Sequence, residues 1–455
     1  MVHGRNMIYY ILFLALFLRL YGIFLLNLGE WDEQFHALVA KNLMENPLRP
    51  SLVTDNLVWL DINDWSLCNI WLSKPPMAFW PMAISMKIFG VNEFGLRFPS
   101  LVFSLLTIYL AYIIARKLFN EKIGIITAFF YAINGILYEI NVGHLSGDHV
   151  DTLLHLLFHL SIYVVLFKIE KPSIAIGSIL GVVIGLAFLT KWIMAFFIFF
   201  VCFSYFVYIK RDLFEIIKFT LSVFVTFLVI VTPWLFWIYN NFPDETILIM
   251  KGIIFPISNV VQEHTGPWYY YLNSIRININ ELVYLPFLFF IYKTMKRPTK
   301  QRFLVLAWIL IPLILLSIST TKRSAYILMS ATPFFIMISL FITYLNQFRF
   351  EYKKSIYFIQ ILFFIFAIRY SLERVKPLKN RFEKPDYRHE MEALINTTDL
   401  PSDSLVLVNE PDFIKARFYY GLLGYRYLND SIINDIRSKG FKVFNNVKGK
   451  YVLVE

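Results

Sequence analysis

Acidic, basic and histidine side chains gather at a few points of an otherwise strongly apolar chain, and those points are where chemistry is possible. The first reads GEWDEQFHA at 29–37 and sets Glu30, Asp32 and Glu33 close together. Carboxylates so close repel one another unless a cation or a hydrogen-bond donor sits among them. One of them, ionised, can take the proton from an attacking hydroxyl. The plain alternative is a solvated loop. The second point reads WLSKPPMAFW at 71–80, where Lys74 precedes Pro75 and Pro76 at the start of an apolar segment. Each proline fixes its own φ, so the lysine is held rigidly and suits a phosphate oxygen. A lysine that merely snorkels from an interfacial helix would look the same.

Further along, GHLSGDHVDTLLHLLFH at 143–159 carries Asp148 and Asp151, then His155 and His159 at helical spacing. An i, i+4 histidine pair is either half of a metal site or ordinary packing. Lys191 in FLTKW, and Lys322 and Arg323 in STTKRSAY, ask for an anionic partner, either a loop carboxylate or a bound phosphate. QEHTGPWYYYL at 262–272 puts Glu263 and His264 beside Trp268 and three tyrosines. Such aromatics form a membrane belt or stack on a sugar.

What must position these residues is a membrane domain. The chain is 58% hydrophobic and only 16% charged, against about 45–50% and about 25% in soluble domains. One soluble core cannot absorb that excess, whereas lipid can. Apolar runs of about 18 residues or more cross a bilayer as helices. Such runs lie near 7–28, 95–116, 123–142, 150–167, 173–190, 192–209, 217–239, 275–292, 303–319, 324–345 and 355–370, an expected eleven spans. The first is too long for a signal-peptide core and has no small-residue cleavage site, so it reads as a retained span. Cys68 and Cys202 lie in dissimilar segments, which argues against a disulfide framework or a cysteine metal site.

The net charge of +11 resides in short basic clusters between the runs. That is the pattern of cytoplasmic loops facing anionic lipid, and it excludes nucleic acid as the partner. With the N-terminus inside, the clusters at 116–122, 168–171, 210–218, 293–302 and 349–354 are all cytoplasmic. Lys191, Lys322 and Arg323 break that trend and fall outside. The expected architecture is an all-α membrane domain at 1–370, with outer loops at 29–94 and 240–273. A small extracytoplasmic α/β appendage is expected at 371–455, with a strand over 405–409, a helix over 412–421 and a last strand at 451–454. The short apolar segment at 77–89 reads as a helix lying in the interface.

Together, WDEQF, SKPP, GDHVD, GLAFLTK and TKRSAYIL occur in an order that resembles the GT-C glycosyltransferase superfamily. The group within it is that of the protein O-mannosyltransferases and lipid A aminoarabinose transferases. EHTGPWYYYL is similar to the segment before the eighth span of many such enzymes, and the resemblance covers about residues 7–345. It implies an acidic pair at Asp32 and Glu33, with Asp32 as general base. It also implies that Lys74, Lys322 and Tyr326 contact the carrier phosphate, and that the acidic residue before the fourth span is Asp148 or Asp151. Ser73 stands where aminoarabinose transferases carry a glutamate able to bind metal, so a divalent cation is left open.

The expected function is therefore a cell-membrane glycosyltransferase acting on the extracytoplasmic face. It would move a sugar from a polyprenyl-phosphate donor to a hydroxyl of a lipid, glycan or protein by inverting single displacement. Asp32 would act as base with Glu33 as helper. Lys74, Lys191, Lys322, Arg323 and Tyr326 would attend the phosphate, and Asp148, Asp151, Glu263 and His264 would form a second acidic or substrate-binding set. A flippase for lipid-linked saccharides is the main rival; it would show repeated halves, which the sequence lacks.

Overall fold

The computed structural model describes residues 2–25, 27–30, 32–145, 149–168, 174–209, 212–347, 353–375, 388–398 and 400–454. The helices of the first half are α1 (Val2–Leu25), α2 (Asp32–Leu43), α3 (Phe79–Phe89), α4 (Glu93–Leu118), α5 (Glu121–Ile133), α6 (Gly135–Asn141), α7 (His149–Lys168), α8 (Ile174–Lys191), α9 (Phe196–Ile209) and α10 (Leu213–Asn241). Then come α11 (Pro243–Ser258), α12 (Tyr270–Asn278), α13 (Tyr284–Lys296), α14 (Lys300–Ile318), α15 (Ala331–Leu345), α16 (Lys353–Val375), α17 (Arg388–Thr398), α18 (Phe413–Lys415) and α19 (Asp430–Ser438). Interleaved with the last of these are the strands β1 (Leu405–Val408), β2 (Leu423–Gly424), β3 (Lys442–Val447) and β4 (Lys450–Leu453). Two compact units result: Met1–Ile23 with Ser100–Lys376, and Phe24–Pro99 with Pro377–Glu455.

The first unit is helical. Among the described residues, eight helical stretches are long and apolar enough to cross a membrane, or nine when the bent pair α5 and α6 counts as one. The expected eleven is not reproduced by this count, and two places account for the difference. Ile174–Ile209 counts as one stretch but holds both α8 and α9, separated by the turn Trp192–Ala195, where Trp192 has φ of +43°. The expected span at 275–292 is divided between α12 and α13, with Asn280 Nδ2 donating to the Phe363 carbonyl in the gap.

Glycines fix the packing of α8. Gly177, Gly181 and Gly185 line one stripe at four-residue spacing, and a Cβ on Gly181 would stand 2.4 Å from the Val223 carbonyl oxygen. Only the absence of side chains lets the two backbones approach so closely. Gly177 meets Phe219 and Ser222, and Gly185 meets Ile230, so contacts climb together along α8 and α10. The two helices are therefore parallel, and α9 must carry the chain back between them.

The break between α5 and α6 has a local cause. Asn134 leaves the helical conformation at ψ of 122°, and its side chain caps α6 by accepting the Leu137 N–H at 3.2 Å. The two helices meet at 59°. From α1, the buried Arg19 donates to the Ala132 carbonyl at 3.1 Å, a group left without a partner where α5 ends.

The second unit joins the first outer loop to the C-terminal segment. Its sheet has the order β2-β1-β3-β4, with β1 parallel to both neighbours and β3 antiparallel to β4. All four residues of β1 are buried, as befits a central strand covered on both faces. Leu405 and Leu407 pack with Met391 and Leu394 of α17, while Val406 and Val408 pack with Val53 and Leu60 of the outer loop. The sheet is thus covered on one face by its own helix and on the other by residues more than 300 positions away. The expected helix over 412–421 is instead the short α18 and a π-helical turn, Ala416–Tyr420, closed by Gly421 at φ of +72°.

Candidate functional site

In the second unit Asp32 opens α2, at the positive end of the helix dipole. The neighbouring Glu33 is buried, and Arg97 on α4 holds it through Nε to Oε1 at 2.7 Å and Nη2 to Oε2 at 2.9 Å. The Gly29 N–H also donates to Glu33, and Arg97 Nη2 donates to the Asn27 carbonyl at 2.8 Å. The segment leading into α2 is therefore fixed at both ends by one buried ion pair. Half-buried Asp32, in contrast, makes no hydrogen bond or ion pair among the described residues.

Lys74 is similarly without a partner among the described residues and half-buried. An aromatic cluster holds its segment to α2. His36 lies edge-on to Trp71 at 5.3 Å and packs on Phe79 at 5.0 Å. Phe35 packs on Trp65, whose carbonyl accepts the Trp71 indole N–H at 2.9 Å. The helix foreseen over 77–89 begins at Phe79, after a turn in which the Pro76 carbonyl accepts the N–H groups of Phe79 and Trp80.

In the first unit the structure brings together three residues singled out from separate motifs. Lys191 makes an ion pair with Asp151, and its ammonium lies 5.0 Å from the ring centre of Tyr326. Oδ2 of Asp151 is buried with no hydrogen-bond partner among the described residues. Asp148 lies outside the described residues. His155 and His159 are both buried on α7. His159 is engaged at both nitrogens, Nδ1 with the His155 carbonyl and Nε2 with the Thr332 hydroxyl, each at 2.6 Å. That ring has no lone pair to spare for a metal.

The motifs around His264 and Lys322 also meet. Thr321 N–H donates to the Pro256 carbonyl at 3.0 Å, Lys322 N–H to the His264 carbonyl at 3.0 Å, and Arg323 Nη2 to Gln262 Oε1 at 2.6 Å. Lys322 turns its ammonium onto the last carbonyls of α14, reaching Ser317 at 2.9 Å and Ser319 at 2.5 Å. Two of its three protons are thereby used, and burial pushes the lysine pKa down. Burial, and then the Arg323 charge, also lower the pKa of His264. Glu263 is exposed on a tight turn, with φ of +60°.

Among the described residues neither cysteine forms a disulfide, and no three His, Cys, Asp or Glu side chains converge as metal ligands. His36 is enclosed by rings, and Ser73 offers a hydroxyl where the family's glutamate would offer a carboxylate.

Sequence reading passed over two buried arginines. Arg97, at the outer end of the second expected span, breaks the charge trend just as Lys191 does. Arg19 sits inside the first apolar run, where a cation is costly and therefore informative. It donates from Nε to Ser104 at 2.6 Å and to Asn141 at 3.0 Å, and Asn141 in turn donates to Thr152, beside Asp151.

A family model described as dolichyl-phosphate-mannose-protein mannosyltransferase matches residues 73–237. An undecaprenyl phosphate-alpha-4-amino-4-deoxy-L-arabinose arabinosyl transferase of Pseudomonas fluorescens is 23% identical over 84% of this chain and 68% of its own length. Its counterpart in Pseudomonas savastanoi is 25% identical over 61% of this chain, and the match spans about half of that relative, 53%. Among solved structures, ArnT from Cupriavidus metallidurans in the apo state aligns with a TM-score of 0.67, covering 96% of this chain and 89% of that one at 15% identity. The apo oligosaccharyltransferase of Archaeoglobus fulgidus aligns with a TM-score of 0.65 at 14% identity, covering 97% and 69%. Over residues 73–237, and in its helical fold, the chain is thus similar to the protein mannosyltransferases and aminoarabinose transferases.

Proposed function

We propose that this protein is an inner-membrane glycosyltransferase that moves a sugar from a polyprenyl-phosphate carrier to an acceptor hydroxyl at the extracytoplasmic face. The observation that carries this reading is the division of labour at the start of α2. Glu33 is locked by Arg97, and the adjacent Asp32 is left without a partner among the described residues. A general base has to keep its lone pairs free for the incoming hydroxyl. The relatives whose names specify an undecaprenyl-phosphate sugar support a polyprenyl carrier as donor.

In the proposed reaction Asp32 takes the proton of the acceptor hydroxyl as its oxygen attacks the anomeric carbon. The bond from that carbon to the phosphate oxygen breaks, and its electron pair leaves with the carrier phosphate. One displacement with no covalent sugar–enzyme intermediate inverts the anomeric centre. Cations must meet the charge that develops on the phosphate. Lys74, Lys191, Lys322 and Arg323 are the candidates, with the Tyr326 hydroxyl as a further donor. Glu33 helps by fixing the start of α2. Asp151, with one buried oxygen free of partners, serves with Glu263 and His264 as the second acidic and substrate-binding set; Asp148 stays its alternative in the motif.

The proposed topology has the N-terminus cytoplasmic and the C-terminal segment outside. The basic loops support it. So does the shared core of Val53 and Leu60 with β1, because two segments that pack together lie on one side of a bilayer. The chain must then cross an even number of times between them. Between them lie α4, the α5–α6 pair, α7, the α8–α9 stretch, α10, α14, α15 and α16, and counting α9 as the separate return that parallel α8 and α10 require gives nine among the described residues. Evenness calls for one more, and the divided segment α12–α13 is the candidate.

The test supplies membranes containing the protein with radiolabelled polyprenyl-phosphate sugars and scores label transferred to endogenous acceptors. Label transfer with an inverted anomeric centre supports the reading. Retention of configuration overturns the single displacement. No transfer from a broad donor panel, with movement of lipid-linked sugar across the bilayer instead, overturns the enzyme in favour of a flippase.

A further inference from the structure

Within the second unit, the π-helical turn Ala416–Tyr420 is the meeting point of contacts from three places in the first outer loop. Lys41, at the end of α2, donates to the carbonyls of Arg417 at 2.7 Å and Phe418 at 2.8 Å. Asp55, between α2 and the Lys74 segment, accepts from Arg417 Nη1 at 2.6 Å and from the Tyr425 hydroxyl. Glu93, at the start of α4, accepts from the Tyr419 hydroxyl at 2.6 Å, with Arg388 Nη1 at 3.6 Å from the same oxygen. Five residues thus hold three anchor points; Lys74 falls between the last two in sequence, and Asp32 lies on the same helix as the first. A π-turn inserts one extra residue and splays successive side chains, which is how neighbours such as Arg417 and Tyr419 address different partners.

The third anchor leads directly to the start of α2. Glu93 and Arg97 are one turn apart on α4, and Arg97 lies within electrostatic reach of Glu33, Glu93 and Tyr419. Arg97 holds the Asn27 carbonyl, and Glu33 holds the Gly29 N–H. Asn27 and Gly29 are thus each tied to this chain of groups. Burial, and then the Glu93 charge, push the Tyr419 phenol up, so it stays a neutral donor at working pH.

We propose that Tyr419 is a positioning residue: through Glu93 and the Arg97–Glu33 pair it sets residues 27–30 and the start of α2, and hence the place of Asp32. The catalytic part of this inference rests on the proposed function; the positioning itself does not. No atom of Tyr419 takes part in the reaction. Its hydroxyl ties the C-terminal segment to the segment that carries the base, which gives that segment a role in turnover.

Hydrogen exchange and turnover of the full-length protein, compared among wild type, Tyr419→Phe, Glu93→Gln and the double variant, test this. Exposed Tyr427→Phe is the control. The expected result is loss of amide protection over 27–35 in Tyr419→Phe, with protection of β1 unchanged. A tenfold to hundredfold fall in kcat at unchanged donor KM is expected alongside, about what a misplaced base costs. The double variant should be no worse than the more impaired single one, because both act through one hydrogen bond. Unchanged protection over 27–35 overturns the inference, whatever the activity. So does a raised donor KM with normal kcat, or full additivity of the two substitutions. Loss of protection over 27–35 in a protein that transfers no sugar upholds the positioning and defeats the enzymatic reading instead.

Discussion

Arg97 grips both oxygens of Glu33, at 2.7 and 2.9 Å, and the pair is buried to within 1% of exposure on either side. Two adjacent carboxylates therefore stand in different surroundings, one paired and one without a partner among the described residues. Asp32→Asn should lower transfer about a hundredfold to ten-thousandfold, the usual worth of a general base, while leaving the melting temperature near wild type. Glu33→Gln leaves a buried guanidinium without its counter-charge and should cost about 3–5 kcal/mol of stability. Transfer assays beside thermal melts in detergent separate the two. A normally active Asp32→Asn would remove that residue from the mechanism.

The Lys191–Asp151 pair gives a different pattern. Each partner is at most 12% exposed, so removing one leaves the other's charge in a poorly solvated place. Lys191→Met and Asp151→Asn should each reduce folded protein, and the double variant should recover much of that loss. Transfer should remain low in the double variant, because the recovered protein still lacks the lysine. Size-exclusion yield beside specific activity reads both, and an active double variant would show the pair to be purely structural.

Gly181 faces the backbone of α10, with the Val223 carbonyl 2.4 Å from where a Cβ would sit. Backbone cannot move aside as the tip of a side chain can. Gly181→Leu should force α8 and α10 apart and lower the melting temperature by several degrees, equivalent to about 1–3 kcal/mol of overpacking. Gly252 has open space at the same position, and Gly252→Ala should leave the melting temperature unchanged within error.

Lys322 carries a pH prediction. Burial lowers its pKa in the folded protein, so the ammonium is lost at a pH below the ordinary lysine range. If it must be charged to meet the phosphate, activity should fall on the alkaline side as pH rises through that lowered value. The stability linkage has the opposite sense. A base whose folded pKa is depressed favours the fold above its unfolded value of 10.5, and that contribution is lost as pH falls through the folded value. Lys322→Arg should remove the alkaline limb from the rate profile, since arginine stays charged throughout. An unchanged limb would assign it to another group.

Most of the membrane architecture was legible because it is written in one dimension. A long apolar run and the sign of its flanking charge need no knowledge of what packs against what, and α1, α4, α7, α10, α14 and α15 fall where the runs lie. What escaped was pairing across the chain. Glu33 finds Arg97 at a separation of 64 residues, and the loop at Gln262 zips to the turn at Arg323 at a separation of 61. Neither partner marks the other in sequence. The break at Asn134 was signalled by the Asn134-Gly135 step inside an otherwise continuous run, and was read through because the run is apolar on both sides. The small C-terminal sheet was expected. That it borrows half its cover from Val53 and Leu60 could not be seen, because a buried strand reads alike whichever segment covers it.

The π-turn at 416–420 also limits how this chain can change in length. Deleting one residue there would close an ordinary α-turn and rotate everything after the deletion by about 100° around the helix axis. Tyr419 would then swing off Glu93 while Arg417 kept hold of Asp55. A single codon lost inside the turn would thus be far more damaging than several added beside exposed Lys448, at the tip of the β3–β4 hairpin. Insertions and deletions should accordingly collect at that hairpin and spare the five residues on which the outer loop is fastened.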